Sequence, residues 1–547
     1  MHAIERRNTA KYRLLRICIA IVGALSASNG WAVLTENIAI GSPRALSLAN
    51  AVTADPPGID SIHFNPAGLS RVEGRQQAIK FIYGNFDIGL DFGKRTETRQ
   101  ALLDQAVQIG SDLGAEYPEG FFEDEAYMQS SSTEGVSMII PGSGMMDLAV
   151  PLSIVGGTSY QPPGGNITFG TNVYTPMAAG FYRADDDPGR FIGQRFSTMV
   201  LTYFSPTVAI EVTDTLSVGA TLTFNYGGVG LDLPLRVPHL AHLVIPTLQL
   251  TNCGIETPLI NICEDLPLYD QLGELNFSVE QALAFGYNFG LLWEVTPWLS
   301  LGMVYQSPID MHMEGEFSWE NSDAWVQFIA PLREGGLTSV ALDVVGIEGE
   351  KYVEGDADLE LTMPEHMSFG VSLQLLPSLR VNIDYKFTGW SKWDELSVKL
   401  SEVTDLMAIA SFGETDTKEG VSLVLPLGME DTWNFAYGIE YQYNDQLVLR
   451  MGVEDRPSSI PEVSMSPFLP LGDSTLYGIG FGYETVTGTL YEVGMSYFES
   501  QVSMPGNTSD FGNSEDPTKL IYNPYPGQDI DASTTIIMLE IGFHREF

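Results

Sequence analysis

The C-terminal stretch from Thr535 to Phe547 alternates between apolar residues and polar or small ones, and it ends on an aromatic side chain. Ile537, Leu539, Ile541, Phe543 and Phe547 fall on one face; Glu540, Gly542, His544 and Glu546 fall on the other. A period of two belongs to a β-strand whose faces meet different surroundings. The pattern recurs upstream. Phe435, Tyr437, Ile439, Tyr441 and Tyr443 alternate with Ala436, Gly438, Glu440, Gln442 and Asn444, and Val381, Ile383, Tyr385 and Phe387 alternate with Asn382, Asp384, Lys386 and Thr388. Phe285, Tyr287, Phe289, Leu291 and Trp293 make a third such face. A soluble sandwich uses shorter strands and fewer aromatics on its apolar face. One aromatic-rich face against one small, polar face is what a barrel in a bilayer requires, with lipid outside and a wet lumen within.

Past residue 32 the chain has no apolar run of the roughly 18 residues that a membrane helix needs. Alternating segments near 75–86, 135–141, 147–159, 195–212, 215–230, 277–295, 298–318, 357–376, 379–394, 430–444, 446–456, 474–486, 488–503 and 534–547 predict fourteen strands. An even number leaves both chain ends on the periplasmic side. Short turns at Thr213-Asp214, Thr296-Pro297 and Asn444-Asp445 alternate with long loops, as they do at the two ends of such a barrel. The expected fold is therefore all-β, a 14-stranded antiparallel transmembrane β-barrel over 73–547. The terminal Phe547 is the expected handle for the barrel assembly machinery.

Residues 1–32 read as a secretory signal peptide. Arg6, Arg7, Lys11, Arg13 and Arg16 precede an apolar stretch from Ile17 to Ala27, and Gly30-Trp31-Ala32 supplies small residues for cleavage. Export to an oxidising compartment predicts a disulfide between Cys253 and Cys263, which lie in one predicted loop. Neither a histidine nor a third cysteine accompanies them, so no zinc site is expected. The formal charge is −43, with acids concentrated in predicted loops such as Glu116–Glu125 and Glu348–Asp358. Such a charge argues against nucleic-acid binding. The acids carry no calcium-loop spacing, and neither metal nor cofactor is expected. Lipopolysaccharide and outer-membrane lipid are the expected surroundings, and a monomer the expected state. Seven histidines, none in a nucleophile motif, argue against an enzyme.

Residues 33–72 lack alternation and are rich in small residues, Pro and Asn. Placed before the first strand, they are expected to fill the lumen as a plug. This segment contains Gly41-Ser42-Pro43-Arg44-Ala45 and His63-Phe64-Asn65-Pro66-Ala67-Gly68-Leu69. It resembles the N-terminal hatch of the FadL/OmpP1/TodX outer-membrane transporters, in which Asn65, Pro66 and Ala67 match the hatch signature. Leu301-Gly302-Met303-Val304-Tyr305-Gln306-Ser307, Met363-Pro364-Glu365, Phe387-Thr388-Gly389-Trp390-Ser391 and Arg450-Met451-Gly452-Val453 extend the likeness to the last strands. It fades in loops 87–134, 231–276, 319–356 and 504–533.

The resemblance implies passive uptake of hydrophobic compounds, long-chain fatty acids first and aromatic or aliphatic hydrocarbons as the alternative. A porin or receptor is a weaker rival. The implied steps are capture by loops, holding in the lumen, movement of the hatch and sideways release near the third strand. Capture falls on the apolar stretch from Leu231 to Leu250, with Leu235, Val237, Leu240, Leu243 and Val244 as contacts. A short amphipathic helix over 99–113 is expected beside it. The lateral opening falls on Gly156 and Gly157, where a strand can kink. Arg236, Lys386 and Arg450 are candidate partners for a carboxylate head, although each could equally pair with lumen acids or with the hatch.

Overall fold

The computed structural model describes residues 36–112, 123–238, 241–253, 262–264, 266–405, 408, 421–516 and 523–546. The signal peptide, Leu240 and Phe547 lie outside them. Fourteen strands close an antiparallel barrel. They are β1 (Arg75–Arg95), β2 (Ser130–Ser132 and Leu152–Tyr160), β3 (Ile167–Asn172 and Tyr174–Tyr182) and β4 (Arg195–Phe204 and Thr207–Thr213). Next come β5 (Leu216–Arg236), β6 (Gln271–Thr296), β7 (Leu299–Gln306 and Ile309–Asn321), β8 (Tyr352–Met363 and His366–Leu376) and β9 (Leu379–Thr388 and Glu395–Leu400). The last are β10 (Val421–Pro426 and Thr432–Gln442), β11 (Leu447–Arg456), β12 (Ser474–Glu484), β13 (Leu490–Met504) and β14 (Gln528–Glu546). The first and last strands close the ring in register from Gln76↔Glu546 to Phe92↔Ile530.

The count of fourteen holds, but one segment read from sequence is not a barrel strand and one barrel strand was not read. Val136–Ile140 is one arm of a hairpin with Gly144–Leu148, inserted where β2 breaks between Ser132 and Leu152. It packs on the outer face of the wall. Ile139 N donates to Ser197 Oγ (2.6 Å), Gly142 N to Glu280 Oε2 (3.0 Å), and Asp147 meets Arg195 (2.6 Å). The strand missing from the sequence reading is β3. Its upper piece, Tyr174–Tyr182, is buried or half-buried throughout, with this hairpin against its outer side. A strand covered on both faces has no reason to alternate.

A second correction concerns the lumen. Toward the periplasmic end the expected division holds: on β5, Thr221, Thr223 and Asn225 are buried inside while Leu222 is exposed. Toward the loop end it inverts. Val229, Leu231, Leu233 and Leu235 of the same strand are buried, as are Leu275, Phe277 and Val279 of β6 and Phe317 and Trp319 of β7. The outward positions there are acidic. Glu314 sits opposite both Glu280 and Asp358, and Glu316 opposite Asp356. A membrane needs strands of only about 9–11 residues, and β6 has 26. The excess rises into water, so above the membrane the greasy face turns inward.

Residues 36–72 run inside this ring. They form short helices, α1 (Pro43–Ser47) and α2 (Ser61–Phe64), and a 3-10 turn Pro66–Arg71. Lumen-facing glycines let this backbone approach the wall. A Cβ on Gly302 would stand 2.1 Å from Thr53 O, and one on Gly452 only 2.2 Å from Leu48 C. Gly219, Gly370, Gly478 and Gly494 meet the same segment at 2.2–2.7 Å. Real side chains do not approach so near, so glycine is required around the whole seat.

Candidate functional site

Helices from the long loops stand at the loop end of the barrel. A helix, α3 (Glu97–Asp112), forms where one was expected, with Arg99 and Leu103 buried, and α4 (Ala241–Asn252) carries the second half of the apolar stretch between β5 and β6. The buried Arg99 of α3 meets His242 of α4 at 3.2 Å. Leu102, Val107 and Ile109 of α3 and Val244 and Leu248 of α4 remain exposed. Of the expected capture residues, Val244 is on this surface. Leu235 and Val237 are not: they are buried in the apolar upper lumen. Leu243 lies in α4 with its side chain outside the described residues, as is all of Leu240. Cys253 and Cys263 are bonded at the end of α4. The helix α5 (Asp323–Glu334) packs against β6, and α6 (Gly336–Val345) packs against α5.

All three candidate head-group cations are engaged within the protein. Arg236 forks onto Asp124 at 2.9 and 3.0 Å and stacks on Phe191 and Tyr525. Lys386 meets Glu454 at 2.9 Å, and Arg450 meets both Glu440 and Glu492 at 2.8 Å. Glu440 in turn accepts from Arg44 of the inner segment. Alternation aimed Lys386, Arg450 and Asp384 into the lumen, where they lie. It also put Glu440 on the lumen face, but did not show which cation each acid would meet.

The inner segment is held by ions and caps. Asp55 is the hub, reached by Arg44 (2.5 Å), by Arg71 (3.3 Å) and by Arg380 of β9. Burial works against its charge, yet the guanidiniums of Arg44, Arg380 and Arg71 outweigh it and hold the carboxyl well below the usual range. Asp384 Oδ2 accepts from Val52 N (2.8 Å), Thr53 N (2.8 Å) and Thr53 Oγ1 (2.7 Å). Asp60 pairs with the fully buried Lys80. Sequence reasoning missed Asp55 and Asp60, although the inward position of Arg380 in its strand was readable from the alternation.

The Asn-Pro-Ala triplet works as a clamp. Asn65 is wholly buried, and its Nδ2 donates to Thr53 O (2.8 Å) and to Leu291 O of β6 (3.1 Å). Its Oδ1 accepts from Ala67 N at 3.2 Å, capping the turn that follows. Pro66 opens that turn at a position whose N–H would have no partner. Pro66 and Ala67 lie over Gly219, where no side chain would fit.

Between the upper lumen and this segment is a cavity of about 60 Å³. Thr202, Thr223, Asn225, Asn288, Gln306 and Ser307 line it from the wall, and Glu36, Asn37 and His63 from the inner segment. His63 Nε2 lies 2.7 Å from Asn37 Oδ1, and Gln306 donates to His63 O. Burial lowers the His63 pKa to about 3, which keeps the ring neutral. Burial also pushes the Glu36 carboxyl up to about 7, against the pull of Arg456.

The cavity reaches Tyr174 and Pro176 of β3, beside the seam with β2. That ladder pairs only Gly157–Tyr160 with Phe169–Asn172, with one further bridge at Gly135↔Tyr182. Asn37 N donates to Pro176 O (2.9 Å), so the inner segment reaches the unpaired stretch. Gly156 and Gly157 belong to the second strand, one earlier than the sequence count put them, and they border this seam. A Cβ on Gly157 would meet Thr171 O at 2.6 Å and Ile59 Cγ2 at 2.8 Å.

The family profile described as "Outer membrane protein transport protein (OMPP1/FadL/TodX)" matches residues 19–542. Outer membrane protein P1 of Haemophilus influenzae is 23% identical over 382 residues, 68% of this chain and 71% of that protein. A long-chain fatty acid transport protein of Salmonella typhi is 23% identical over 219 residues, 40% of this chain. The chain spans less than half the length of that relative, 43%, and of a Pasteurella multocida 47 kDa outer membrane protein, 44%. Among solved structures, a Pseudomonas aeruginosa FadL homologue superposes with TM-score 0.64 at 14% identity, covering 95% of this chain and all of that one. The Ralstonia pickettii toluene transporter TbuX does so with TM-score 0.56 at 17% identity, covering 93% and 99%.

Proposed function

The chain belongs to the OMPP1/FadL/TodX family of outer membrane transport proteins, and from that premise we propose that it takes up hydrophobic compounds passively. It is a multi-pass β-barrel of a Gram-negative outer membrane, and proteins of its family are transporters. The proposed cargo is long-chain fatty acids or, as a second reading, aromatic or aliphatic hydrocarbons. Cargo lands on the exposed apolar side chains of α3 and α4, enters the apolar upper lumen, and waits above the hatch formed by residues 36–72. The hatch shifts, and cargo leaves sideways between β2 and β3 into the membrane.

One observation carries the last step: the β2–β3 ladder is broken where Asn37 of the hatch meets Pro176. A hydrophobic molecule gains nothing by entering the aqueous periplasm, whereas a side door delivers it to lipid. Joining hatch and seam should therefore stop transport. An oxidised Asn37→Cys/Pro176→Cys protein is expected to lose uptake of oleate and of toluene, and a reductant to restore it. Undiminished uptake by the fully oxidised protein would contradict this route.

A further inference from the structure

The cavity above the hatch has an unexpected chemistry for a path that greasy molecules take. Above it, the lumen is packed with side chains such as Leu275, Phe317 and Trp319. Hydroxyl and amide side chains of Thr202, Thr223, Asn225, Asn288, Gln306 and Ser307 share the cavity wall with apolar residues such as Val200, Ile309 and Met363. The polar groups partly satisfy one another: Thr202 donates to Asn225 Oδ1 at 2.7 Å, and Asn225 Nδ2 to Thr223 at 3.0 Å. No lysine or arginine lines the cavity among the described residues. The nearby lumen cations, Arg456 and Lys386, are buried and already engaged: Arg456 donates to Glu36 O at 2.6 Å and lies 3.6 Å from Glu454, which also holds Lys386 at 2.9 Å. The one carboxyl on the lining is Glu36.

Resting on the transport reading above, we infer that this neck passes its cargo only in uncharged form: a hydrocarbon, a long-chain alcohol or ester, or a carboxylic acid that keeps its proton. Thr, Asn, Gln and Ser side chains can exchange hydrogen bonds with a hydroxyl or a carbonyl as it passes. A carboxylate entering the same space would lose its hydration and find no countercharge, and burying an unpaired charge is far more costly than burying a bonded hydroxyl. Glu36 adds to the barrier when ionised. His63, neutral through burial, offers no attraction.

The test is uptake in cells that lack their own transporters of this kind, with and without this protein. The probes are hexadecanol, methyl palmitate as a neutral head of greater bulk, and hexadecyl sulfate as a permanent anion on the same chain. Protein-dependent entry of hexadecanol and methyl palmitate, with hexadecyl sulfate slower by about tenfold or more, is expected. Comparable protein-dependent entry of the sulfate overturns the inference. If none of the three depends on the protein, the transport reading itself fails and the inference falls with it. A cation placed in the neck supplies the second arm. Asn288→Lys or Thr223→Lys, each checked for a folded barrel by heat-modifiable migration, is expected to raise sulfate entry. A folded variant that leaves the sulfate excluded counts against charge as the cause.

Discussion

Single residues set how the hatch sits in the barrel. Gly452 faces Leu48 so closely that a Cβ would overlap its backbone carbon. Gly452→Val should displace the hatch while the ring of strands still closes. Steady conductance in a planar bilayer is expected from the variant and not from the parent; equal, closed behaviour in both would contradict the seat. Glu36 adds a pH dependence. It faces Thr388, His366, Arg456, Lys386 and Glu454, and its folded pKa of about 7 lies above the ordinary 4.5. A carboxyl whose proton is held more tightly when folded stabilises the fold below its ordinary pKa and loses that contribution as pH rises through the folded value. The thermal midpoint of the parent should therefore fall relative to Glu36→Gln between about pH 5 and pH 8. A constant difference over that range would show that Glu36 stays ionised.

Elements were readable where their two faces differ. β6, β9, β10 and β14 announced themselves through alternation because lipid lies on one side and lumen on the other. β3 stayed hidden because the Val136–Leu148 hairpin covers its upper piece from outside, and nothing local in the sequence records that cover. The expected capture stretch divided for a similar reason. Its first half, to Arg236, continues β5 and packs inward, and its second half forms α4. Hatch contacts such as Asn65 to Leu291 join positions 226 residues apart, which no spacing rule reaches. At this scale the capture surface can be tested. Val244→Asp with Leu248→Asp should weaken binding of a hydrophobic ligand by about tenfold or more, given roughly 1.5–3 kcal/mol for each buried aliphatic side chain. The barrel should remain folded. Unchanged ligand binding by fluorescence titration would remove α4 from the capture step.

At the scale of the whole molecule, three zones follow one another down the barrel. An apolar upper lumen stands under the loop helices, a neck of mixed hydroxyl, amide and apolar side chains lies beneath it, and the hatch is clamped below by Asp55, Asp384 and Asn65. The outer wall changes in step, acidic above the membrane and aromatic within it. Acids dominate the whole chain, at a formal charge of −43, yet Asp55, Asp60, Glu440, Glu454 and Glu492, buried or half-buried around the hatch, are matched by arginine and lysine. This order suits a closed passage for greasy molecules and does not suit an open water pore. The direct test is accumulation of a labelled neutral compound, toluene or hexadecanol, by cells that differ only in this protein. Faster accumulation when the protein is present, abolished by the oxidised Asn37–Pro176 cross-link, is the predicted result. Equal accumulation with and without the protein, for these compounds and for oleate alike, would contradict the account.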